Sequence, residues 1–108
     1  MIRFNVDVQD RVFIQDIISV KESGNRIEMT LLYNLMTQVA FSPQEIESYG
    51  ISMKGKRIEW SANFQKEMEL SDEQIEILLQ CISIVTDLNQ ISLPMIPLLD
   101  RIDNLNKK

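Results

Sequence analysis

Two segments of this chain carry the same helix-start device, and between them the apolar period changes. Phe41-Ser42-Pro43-Gln44-Glu45-Ile46 and Leu70-Ser71-Asp72-Glu73-Gln74-Ile75 each place a serine where its hydroxyl accepts an N–H of the coming turn, with Glu or Gln three residues on to return the bond. Pro43 stands at the first helical position, where a missing N–H costs nothing, and Phe41 with Ile46 and Leu70 with Ile75 have the spacing of a hydrophobic staple. In the interval, Ile58 and Trp60 alternate with Arg57 and Glu59, while Phe64, Met68 and Leu70 fall on one side of a second alternation. Helices that start on both sides of a β-patterned interval predict an α+β chain. The reading is a mainly helical single domain with a small antiparallel hairpin or a three-stranded sheet.

The flanks extend that pattern. Ile2, Phe4 and Val6 alternate with polar residues, which predicts a short strand, and Asp7 then caps a helix from about Val8 to Val20 with Val12, Phe13, Ile17 and Val20 on one side. Asn25 and Glu28 have capping-box spacing before Leu31, Leu32, Leu35, Met36 and Val39, giving a second helix to about Ala40. Gly50 stops the short helix that Ser42 begins. The hairpin turns either at Gly55, inside Lys54-Gly55-Lys56, or at Ser61-Ala62-Asn63.

After Ser71 the buried stripe is Ile75, Leu78, Leu79, Ile82 and Val85, widened by Ile77, Cys81 and Ile84. An arc that wide belongs to a central helix touched from two sides, or to a face that a homodimer would cover. Ile96, Leu98, Leu99, Ile102 and Leu105 space a last helix after Ser92-Leu93-Pro94. The domain is read as residues 1–103, with a polar tail over 104–108.

Composition narrows function mainly by what is missing. At 108 residues and 44% apolar content, one core suffices without disulfides or a structural metal. The chain has no His, which removes the commonest general base and zinc ligand, and its one Cys, Cys81, sits inside an apolar stripe where a thiol is usually inert packing. Carboxylate pairs occur at Asp7 and Asp10, Glu45 and Glu47, Glu73 and Glu76, and Asp100 and Asp103; several fall in first helical turns, where the macrodipole favours acids. There is no glycine-rich phosphate loop and no cysteine-pair spacing. The expectation is a non-enzyme without cofactor or metal. A formal net charge of −5 disfavours phosphate backbones and anionic lipid and favours a basic protein partner. No apolar run near Met1 is long enough for a signal peptide, so the expected location is cytoplasmic.

The order of elements approaches a winged helix, in which three helices precede a hairpin wing. In a DNA-binding version, Lys54, Lys56, Arg57 and Lys66 would meet phosphates. The helix that would enter the groove reads Pro43-Gln44-Glu45-Ile46-Glu47-Ser48-Tyr49, with no basic residue, so groove binding opposes its own charge. The alternative surface for a protein partner is Glu45, Glu47, Tyr49 and Trp60, since aromatic anchors are favoured at interfaces.

The run from Phe41 to Ile51, followed by Lys54-Gly55-Lys56-Arg57-Ile58-Glu59-Trp60, resembles a group of small bacteriophage and prophage proteins. They are similar in a strand-helix start, an acidic short helix after Phe-Ser, a hairpin ending in Trp, a Lys-Glu-rich strand and two closing helices. The resemblance implies an accessory factor that binds a host or phage protein and inhibits, redirects or titrates it. Nucleic-acid enzymes and defence factors are the targets it implies, and no catalytic residue comes with it.

Overall fold

A computed structural model describes residues 2–55 and 57–105, with Arg57 described by its backbone alone. The elements are β1 (Ile2–Val6), α1 (Val8–Ser19), α2 (Arg26–Val39), α3 (Pro43–Tyr49), β2 (Ser52–Lys54), β3 (Arg57–Glu59), β4 (Lys66–Leu70), α4 (Asp72–Asp87), a 3-10 turn over Leu93–Met95, and α5 (Ile96–Leu105). The α+β class and the mainly helical content are as the spacing predicts. The winged-helix order of elements is present too, but its hairpin stands apart.

No three-stranded sheet forms among the described residues. β1 pairs antiparallel with β4, from Ile2 opposite Leu70 to Val6 opposite Lys66, while β2 and β3 pair only with each other. Gly55 turns that hairpin with a left-handed backbone, φ 63°, which decides between the two candidate turns. Strand period two sends Phe4, Val6, Met68 and Leu70 inward and leaves Arg3, Asn5, Glu67 and Glu69 outside.

Behind this ribbon α4 is central, packing on α1, α2 and α5. Ile14, Leu35, Val39, Leu78, Cys81, Leu98 and Ile102 are buried there, each large aliphatic side chain contributing roughly 1.5–3 kcal/mol by leaving water. Of the widening arc, Ile77 and Cys81 are buried within the chain and Ile84 is half-buried. The buried face of α1 differs from the predicted one: Val8, Arg11, Ile14, Ile17 and Ile18 point inward, while Val12, Phe13 and Val20 are half-buried. That rotation draws a charged residue into the interior. Pro94 lies in the 3-10 turn and Pro97 in the first turn of α5, where both are tolerated; α5 itself continues through Asn104 and Leu105, past the predicted domain end at 103.

All four capping boxes close: Asp7 with Asp10, Asn25 with Glu28, Ser42 with Glu45, and Ser71 with Gln74. Among the described residues no helix is long and apolar enough to cross a membrane.

Candidate functional site

Residues 41–64 form an arm outside this core. α3 has no buried residue, and every residue of β2 is exposed. Local sequence shapes the arm: Ser42 and Pro43 start α3, and Gly50 ends it with a left-handed backbone, φ 63°. Its chain then returns through hydrogen bonds from the Ile51 N–H to the Ile46 carbonyl (3.0 Å) and from the Ser61 and Ala62 N–H groups to the Tyr49 carbonyl (2.8 and 3.2 Å). A side chain at position 50 would place Cβ 2.9 Å from that of Ser61, so glycine is required there by space as well as by backbone.

What holds the arm to the body is Arg11, whose side chain is wholly buried. Its Nε donates to the Val39 carbonyl (3.1 Å) and one terminal nitrogen to the Ala40 carbonyl (2.7 Å), while the guanidinium grips both oxygens of Glu45 (2.6 and 3.1 Å). α2 has no basic residue in its last turn, so a cation borrowed from α1 meets its unpaired carbonyls. The Phe41 ring stacks on this guanidinium, its centroid 4.2 Å from the central carbon, and Ile46 is exposed.

Glu45 therefore serves twice, closing the capping box of α3 and neutralising Arg11. The Arg11 hydrogen bonds hold its carboxyl at about 2, well below the ordinary carboxylate range, with the Ser42 N–H and the Tyr49 hydroxyl (3.2 Å) adding to the effect against the opposing pull of burial. Tyr49 continues outward, stacking on Phe64 at 4.7 Å between ring centroids. The far end of the arm is pinned by Asn63, whose Oδ1 accepts the Val8 N–H (2.9 Å) and whose Nδ2 donates to Asp7 (3.4 Å). Both contacts meet the body at the start of α1, one through Arg11 and the other through Val8 and the Asp7 cap.

The predicted site residues separate accordingly. Glu45 faces inward on Arg11, Glu47 is exposed, and Tyr49 and Trp60 are half-buried on the arm. Lys54 is exposed and lies 3.3 Å from Glu59 of the neighbouring strand. Lys66 is on a different sheet, donating its ammonium to the Gln38 carbonyl (2.7 Å), so it does not join a hairpin cluster. Lys56 lies outside the described residues, and of Arg57 only the place in β3 is described. Arg11 and Asn63 are functional anchors that composition did not single out. A signal for Arg11 was present, because it falls between Val8, Ile14 and Ile18 on the helical stripe of α1.

For chemistry the arrangement offers little. The Cys81 thiol is buried, which pushes its pKa up and keeps it protonated, and no group of three or more metal-ligating side chains converges among the described residues. What the arm does offer is surface: Ile46, Met53 and Phe64 are exposed large apolar side chains, Met53 at 67%. In comparisons with known proteins, no family model, no curated protein and no solved structure matches this chain.

Proposed function

We propose that this chain is a non-enzymatic accessory protein of the phage or prophage type that binds another protein and modulates or inhibits it, and that the arm makes the contact. The observation that carries this reading is the contrast within the arm itself. Its polar groups are fixed by a buried Arg11, while Ile46, Met53 and Phe64 are left exposed beside Tyr49 and Trp60. An apolar surface held rigid in advance loses little entropy on binding, which is how a small interface reaches useful affinity. Glu47 and the net charge of −5 favour a partner with a basic surface, such as a nucleic-acid enzyme or a defence factor of the host. Glu45 acts in this scheme as a positioning residue for α3.

The test is capture from bacterial lysate with the full chain, followed by size-exclusion chromatography of the reconstituted pair. The expected result is a stoichiometric protein partner, lost with Met53→Asp and weakened by Glu47→Lys while the circular dichroism of both variants stays unchanged. Capture that ignores both substitutions contradicts the role of the arm. A salt-sensitive shift of promoter DNA, abolished when Lys54, Lys56 and Arg57 are replaced by Ala, would overturn the reading in favour of a winged-helix-like regulator.

A further inference from the structure

The β1–β4 ribbon has two outer edges, and a side chain from a helix sits on each. The Gln38 amide of α2 donates to the Glu69 carbonyl and accepts from the Glu69 N–H, each at 3.0 Å, which are the two bonds a neighbouring strand makes. Main-chain groups of alternate residues point to the same edge, so Glu67 and Glu69 face outward on β4, and their opposites Asn5 and Arg3 face outward on β1. On that second edge Arg101 of α5 donates to the Asn5 carbonyl and, at 2.9 Å, to Asp10.

We infer that Gln38 and Arg101 are edge guards, which keep copies of this chain from joining head to tail through the ribbon. Without them the copies match. The β1 edge of one copy, laid antiparallel on the β4 edge of the next, sets Arg3 opposite Glu69 and Asn5 opposite Glu67, the same pairs that face each other within the chain. Arg3 is suited to that place, since it already approaches Glu67 at 3.5 Å. Two β4 edges laid together would set Glu beside Glu, so β1 on β4 is the pairing to be prevented. Such a contact joins two different edges, does not close, and repeats from copy to copy.

Both guards are held in place. The Gln38 amide also donates to Asn34 Oδ1 (3.1 Å), which accepts from the buried Gln74 (2.6 Å) and so ties the guard to the cap of α4. Lys66 fastens the same end of α2 to β4 through the Gln38 carbonyl (2.7 Å). The Arg101 guanidinium carbon lies 4.8 Å from the centroid of the Phe4 ring, over the strand that it covers. Each strand is short, with two outward residues, so taking one of them leaves too little edge to template a further strand.

Sedimentation velocity on Gln38→Ala and Arg101→Ala tests the inference, because each guard protects one edge of a two-edged contact. The native chain and each variant alone stay monomeric. An equal mixture of the two variants forms a one-to-one dimer, and the double variant grows into longer oligomers as concentration rises. In the mixture, the Glu67 and Glu69 amides of the first variant and the Arg3 and Asn5 amides of the second gain about tenfold protection from exchange. A role in stability alone would lower the unfolding midpoint of each variant and leave the mixture monomeric, which overturns the inference. A native chain that self-associates with these amides protected overturns it as well. If Ala at position 101 costs the helical circular dichroism, Arg101→Met, which keeps the apolar stem over Phe4 and removes the donors, replaces it in the mixture; loss of the fold in both makes Arg101 a packing residue and contradicts its role as a guard.

Discussion

The body and the arm of this molecule use the same helix-start chemistry, yet different forces keep them in place. In the body, α1, α2, α4 and α5 close over aliphatic side chains that have left water, and any one contact is a small part of the whole. In the arm, α3 and the described residues of the hairpin bury no side chain and depend on one guanidinium supplied by α1 and one carboxamide received at its N-terminus. Apolar packing is spread over many residues and fails cooperatively, whereas a polar anchor fails at a point. An element held that way can be fixed for binding without being part of the fold's stability.

That comparison can be broken from either side. The largest effect belongs to the body: Leu78→Ala, at a fully buried position of α4, should cost about 2–5 kcal/mol in urea unfolding and release both regions in one transition. Next is the anchor. Glu45→Gln leaves Arg11 buried with a neutral acceptor and should cost about 2 kcal/mol, concentrated in the arm.

Acid probes the same contact. Glu45 has its carboxyl lowered in the folded state, so its contribution is complete above about pH 4.5 and is lost as pH falls through about 2. A tyrosine signal from Tyr49 should report this loss before the helical circular dichroism of the body changes.

Smaller still, Gly50→Ala forces a left-handed alanine against Ser61 and should cost about 1–2 kcal/mol, read as faster exchange of the Ser61 and Ala62 amides. If Gly50→Ala instead lowers the unfolding midpoint of the whole chain as much as Leu78→Ala does, the two regions are one unit.

The sequence was legible where the physics is local. Serine, asparagine and aspartate caps and the glycine at 50 depend on residues within a turn or two and fold as spaced, and β1 and β4 keep their alternation, although β4 starts at Lys66 and leaves Phe64 exposed outside it. Partner choice was not legible, because it is set by contacts distant in the chain. β4 could have extended the hairpin on pattern alone, but its inward Met68 and Leu70 meet the core only when it lies against β1. Glu45 reads as a cap, and its second role is hidden until α1 turns Ile14 and Ile18 inward, which carries Arg11 with them. Tyr49 and Trp60 were found by residue type, while Met53 and Phe64 gained their interest only from exposure in the folded arm.

The measurement that bears most directly on the account is amide hydrogen exchange, residue by residue, in the native chain and in Glu45→Gln. The account predicts that the amides of Ile46, Ile51, Ser61 and Ala62 lose protection in the variant by about tenfold or more while those of Ile14, Ile17, Leu78 and Cys81 keep theirs. Equal loss of protection in both sets, or none in the arm, would contradict an arm held by Arg11 apart from the core.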